Sequence, residues 1–164
     1  MPTYLDLSLY RPRNPGETAS DTALLPEGPP TLANMGPPLN DGLLTAEALG
    51  IDAAEARRNI DRVWGLFQVV ASPCFTDDDL PILREWLAGV TAGLREGLDE
   101  KGRPHGGLGV RLSGSPHFEA DADGRLMVRS SRRRLMDVRD ELEALLRMVD
   151  FAAAHDLWVA MSER

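Results

Sequence analysis

Arg129-Ser130-Ser131-Arg132-Arg133-Arg134 is the densest run of chemically able side chains in the sequence, with Arg125 just upstream. A planar guanidinium binds carboxylates and phosphates through paired hydrogen bonds. The run therefore has the composition of a docking surface for an acidic protein, a phosphate group or nucleic acid. The competing reading absorbs these charges internally, Arg133 pairing with Asp137 and Arg125 with Asp121. No aromatic residue is interleaved with the run, which argues against single-stranded nucleic acid.

Asp77-Asp78-Asp79 is the second binding candidate. Three carboxylates in one helical turn point in different directions, so a hard metal would need ligands from elsewhere. Capping and helix-dipole complementarity explain them without a ligand. Glu119-Ala-Asp121-Ala-Asp123-Gly124 matches the opening of a calcium loop, but the twelfth position is Ser130 rather than a bidentate glutamate. Arg125 also sets a cation beside the supposed ion, so a charged hairpin tip is expected here.

The three histidines, His105, His117 and His155, show no zinc spacing. His105-Gly106-Gly107 faintly resembles an esterase oxyanion segment, without a Gly-x-Ser-x-Gly elbow to supply the nucleophile. Gly107-Leu108-Gly109 lacks the third glycine of a dinucleotide loop, and no phosphate loop is present. Cys74, the single cysteine, reads as a small packed residue between two helices, although a Cys–His pair formed in the fold stays open. No catalytic residue, metal or cofactor is assigned.

These residues are carried by 164 positions, 43% hydrophobic and 27% charged, enough for one globular domain, 1–164. The net charge is −8. Residues 1–100 carry net −9, residues 101–139 net +5 and residues 140–164 net −4. An acidic chain is a poor general ligand for nucleic acid. Apolar runs are too short to span a membrane. The start has no apolar stretch behind a basic one, and a lone cysteine suits a reducing compartment, so a cytoplasmic location is expected.

Residues 3–10 alternate, placing Leu5, Leu7 and Leu9 on one face of a half-buried strand. Seven of the twelve prolines fall in 11–44, which predicts a wrapping arm without regular structure. Asp52 caps a predicted helix over 53–72, with Ile60, Val63, Trp64, Phe67, Val70 and Ala71 at helical spacing. Thr76 caps a second helix over 77–100, stopped by Gly102 and Pro104. Within it Gly89, Gly93 and Gly97 form a row whose cost in helix propensity, roughly 1.5–3 kcal/mol, implies a close neighbour.

Residues 117–129 read as a hairpin. A three-residue loop, Ala122-Asp123-Gly124, sets Phe118 opposite Val128, Ala120 opposite Leu126 and Asp121 opposite Arg125, separating apolar from charged faces. The last helix spans 132–154, with Glu143 and Arg147 paired on its wet face. Strand 157–161 is apolar on both sides and so interior to the sheet. The expected class is α+β: three main helices packed on one face of a small, mostly antiparallel sheet, preceded by the arm.

The leading functional expectation is a non-enzymatic, acidic protein-binding module of a bacterial cytosol, of the inhibitor or immunity type, that masks a basic partner. The alternative is a small-molecule-binding or catalytic domain with a cleft near the arginines, His105 and His117. A homodimer through Gly89, Gly93 and Gly97, or through the arm, is a third option.

Overall fold

The computed structural model describes residues 5–11, 23–24, 28–70 and 72–163. The expected strand start at 3–4, most of the arm between 12 and 27, and Ala71 lie outside the described residues. The chain divides into two compact units: Met1–Gly36, Ala54–Glu85 and Ala144–Arg164 form the first, Pro37–Ala53 and Trp86–Glu143 the second.

In the first unit, Leu5–Arg11 (β1), Ala23–Leu24 (β2), Cys74–Phe75 (β3) and Trp158–Glu163 (β6) make a sheet of order β2-β1-β6-β3. Every pairing is antiparallel, with Leu7 opposite Met161 and Cys74 opposite Ala160. β6 is interior, as its two apolar faces require. The half-buried reading of the first strand needs correction. Asp6 and Ser8 are buried along with the three leucines. β1 is itself interior, and Asp6 Oδ1 accepts the Asn34 N–H at 3.0 Å, which satisfies a polar group that would otherwise face water.

The same unit contains Ala54–Gly65 (α2), which continues as a short 3-10 turn, Leu66–Gln68. The helix expected over 53–72 therefore ends early. Ala56, Ile60 and Val63 are buried, but the stripe beyond them loses its burial: Trp64 is 44% exposed, and Phe67 and Val70 are half-buried. Trp64 packs edge-on against Phe67 with ring centroids 5.4 Å apart.

The second unit holds Gly36–Leu49 (α1) from Pro37 onward, Gly106–Gly114 (α4) and the hairpin strands Phe118–Ala120 (β4) and Leu126–Val128 (β5). Leu80–Gly97 (α3) and Leu135–Ala154 (α5) each contribute residues to both units. The α+β class stands, with five α-helices among the described residues in place of three. Both additions correct the expectation.

α1 occupies the end of the proline-rich stretch. Pro37 and Pro38 fall in its first turn, where backbone N–H groups have no helical partner, so proline costs nothing there. α4 is glycine-rich and short, with no propensity signal to announce it. The hairpin has the expected register, Phe118 opposite Val128 and Ala120 opposite Leu126, and Gly124 takes the left-handed backbone at φ 81°.

Candidate functional site

The hairpin and the segment that follows it place the arginine cluster. Arg125 pairs with Asp121 at 3.2 Å and Asp123 at 2.8 Å across the hairpin tip. Burial works against ionisation of Asp121, but the backbone N–H groups of Arg125 and Asp123 and the Arg125 guanidinium outweigh it and hold its carboxyl below the usual range. These oxygens point at their own loop, so the calcium-like motif is a self-satisfied turn. Arg129 bonds the carbonyls of Pro116 and Phe118 and lies 3.3 Å from Glu119.

Arg133 is drawn inward, but not to the expected Asp137. It pairs with Glu141 one turn further along α5 and lies 3.5 Å from Asp41 of α1. Asp41 is fully buried. Its Oδ2 accepts the Ser131 hydroxyl at 2.8 Å, and Ser131 Oγ accepts the Arg133 N–H at 3.3 Å. Burial pushes the Asp41 carboxyl above the usual aspartate range, against the opposing pull of the Ser131 hydrogen bond and the Arg133 charge. Oδ1 has no hydrogen-bond partner among the described residues. No local pattern announces this network, because Asp41 and Ser131 are 90 positions apart. A leucine-rich helix interrupted by an aspartate at a buried position was the only signal.

Arg132 and Arg134 remain. Both are exposed, and neither has an acidic partner within ion-pair distance among the described residues. Arg132 is held in the left-handed region, φ 59°, with its N–H bonded to Val128 O at 2.7 Å. The two side chains line a cleft of about 450 Å³ together with Arg133, Asp137, Asp140 and Glu141. A second cleft, about 480 Å³, is lined by Glu100, Lys101, Arg103, Asp123, Arg125 and Met136, and both of its arginines are already paired. The histidines expected beside such a cleft line neither: His105 is exposed at the start of α4, and His117 faces Glu47 at 3.2 Å.

The three aspartates separate by role. Asp79 is buried, pairs with Arg62 and accepts the Thr76 N–H at 2.9 Å, the backward half of a capping box on Thr76. Asp77 and Asp78 are exposed and unpaired among the described residues. Asp77 stands on the rim of a groove of about 340 Å³ in the first unit, with Leu80, Pro81, Val149 and Ala153 forming its apolar lining. Asp156 is the second free acid on that rim, while Arg84 is held by Asp150 at 2.7 Å.

Other expectations resolve within the chain. Gly89 faces Ile51, Gly93 faces Leu49, and Gly97 faces Leu108 and Leu112, so the row is filled by the chain's own residues. Glu143 pairs with Arg95 rather than Arg147. Cys74 is buried in β3 with its thiol directed at Ser72 O, 3.6 Å away. His155 stacks on Phe151 at 4.0 Å. Among the described residues no group of three or more His, Cys, Asp or Glu is placed to hold a metal, and no helix is long and apolar enough to cross a membrane.

The arrangement is that of an α+β protein in which several arginines are internally paired, while Arg132, Arg134, Asp77 and Asp156 have no ion-pair partner among the described residues. No family model, curated protein or solved structure matches the chain.

Proposed function

We propose that this chain is a non-enzymatic, protein-binding module that recognises a basic partner. The observation that carries this reading is the groove of the first unit, with an apolar floor and two unpaired carboxylates, Asp77 and Asp156, at its edge. Such a groove accepts the apolar stem of a lysine or arginine while its head meets a carboxylate. Asp78 adds a third free charge beside it. The exposed Trp64, with Phe67 and Val69, supplies large rigid contact area of the kind enriched in interfaces. Masking a basic protein in a bacterial cytosol, as an inhibitor or immunity-type protein does, is the biological form this reading takes.

The test is affinity capture from the native host followed by association kinetics with the identified partner. Asp77→Asn with Asp156→Asn should slow association and flatten its salt dependence. Glu55→Gln with Glu163→Gln, both exposed and outside the groove lining, removes the same net charge and should leave the rate near wild type. A partner whose binding ignores the groove variant and salt overturns the reading.

A further inference from the structure

We infer that the cleft lined by Arg132 and Arg134 is a binding site for a small phosphomonoester whose body carries an amino or hydroxyl group. The inference rests on which charges the fold has already used. Arg133 is paired with Glu141 and lies 3.5 Å from Asp41, and Asp140 is paired with Arg139 at 3.1 Å, so three of the six lining side chains, Arg133, Asp140 and Glu141, are already engaged within the chain. The cleft is left with two unpaired guanidiniums, Arg132 and Arg134, and one unpaired carboxylate, Asp137.

The complement of that set is a doubly charged anion joined to a single hydrogen-bond donor or cation. A phosphate monoester supplies the dianion and offers oxygens to two guanidinium forks. An amine or hydroxyl on the ligand body would face Asp137. The cleft measures about 450 Å³ and is open to solvent. Its lining contains no aromatic side chain, which favours a saturated body such as a sugar over a nucleobase that needs a ring to stack on.

The ties of Arg133 to Asp41, Glu141 and Ser131 Oγ hold the backbone between Arg132 and Arg134. The cleft shares no residue with the acidic groove, so either proposal can fail without the other.

Glucosamine 6-phosphate, glucose 6-phosphate and inorganic phosphate are the probes, titrated by calorimetry and by amide chemical shifts at physiological salt. Glucosamine 6-phosphate should bind saturably, with shifts centred on residues 131–137, and more tightly than inorganic phosphate. Arg132→Gln with Arg134→Gln should weaken it by tenfold or more, since each lost charge-assisted contact is worth about that factor. Arg57→Gln with Arg58→Gln removes two exposed arginines elsewhere and should change nothing. Asp137→Asn should erase the preference for the amino sugar. A wild-type protein that saturates with none of the probes overturns the site. So does equal loss in the Arg57/Arg58 variant, or unaltered binding in a folded Arg132/Arg134 variant. Inorganic phosphate binding as tightly as the sugar phosphates overturns the assignment of the ligand body.

Discussion

Replacing Gly109 by alanine tests how α3 and α4 are joined. A Cβ at Gly109 would lie 2.8 Å from Gly97 O and 2.8 Å from the carbonyl carbon of Pro104. Both neighbours are backbone, and both belong to the junction: His105 N–H donates to Gly97 O at 2.8 Å, and Leu98 bridges to Pro104. Alanine would gain about 1 kcal/mol of helix propensity over glycine. Against this, a main-chain neighbour has no rotamer through which to escape, so α4 must shift and weaken that hydrogen bond. Overpacking of this kind costs about 1–3 kcal/mol and sometimes more, and rigid neighbours place it at the upper end. The net expectation is a loss of about 2 kcal/mol, or roughly 4–8 °C in Tm for a chain of this size. Thermal and urea unfolding followed by circular dichroism measure it. Gly107→Ala, in the same helix with nothing within 4 Å of its Cβ, is the control and should be neutral or slightly stabilising. A Gly109→Ala protein as stable as wild type would refute the close-approach argument.

Two further substitutions probe the second unit. Gly93→Ala brings a Cβ within 2.6 Å of Leu49 Cδ1, but a leucine tip can rotate, so propensity and clash nearly cancel. The same unfolding assay should find it within about 1 kcal/mol of wild type. Asp41→Asn tests the buried carboxyl. Because its folded pKa is raised, Asp41 contributes stability that is complete below the usual aspartate range and disappears as pH rises through the folded value. Asp99, held low chiefly by the Arg103 N–H, and Asp121 act in the opposite direction, losing their contribution as pH falls through their folded values. Stability measured from pH 3 to 7 in wild type and Asp41→Asn isolates the Asp41 part. The wild type should lose stability relative to the variant on going up through the weakly acidic range, and parallel curves would show that Asp41 titrates as an exposed aspartate.

What the sequence disclosed follows from how local each signal is. The hairpin register was legible because side-chain alternation and one glycine requirement act over only a dozen residues. The interior position of β6 was legible because both of its faces are apolar. α1 was hidden by Pro37 and Pro38, whose breaking effect vanishes in a first turn. The buried polar face of β1 was hidden because Asp6 is satisfied by Asn34, far along the chain. The site divided the same way. Arg125 and Asp121 face each other across a short loop, and that pair was readable. Arg133 found Asp41 and Glu141 instead of the nearer Asp137, since the nearest partner in sequence is not the nearest in a folded turn.

Internal pairing also changes what the net charge means. Each ion pair removes one charge of either sign, so the formal −8 is untouched while the surface field is redistributed. Screening confines that field to about 8 Å at physiological ionic strength. An incoming partner therefore responds to the charges left unpaired near its landing point, not to the total. At the groove those are Asp77 and Asp156, with Arg84 already cancelled by Asp150. At the arginine cleft they are Arg132 and Arg134 against Asp137. One acidic chain thus carries local fields of opposite sign at the groove and at the arginine cleft. This is why the net-matched pair Glu55 and Glu163 is the decisive control for the groove. If removing those two carboxylates outside the groove slows association as much as removing Asp77 and Asp156, the attraction is a property of the whole charge, and the groove has no privileged role in recognising a basic partner.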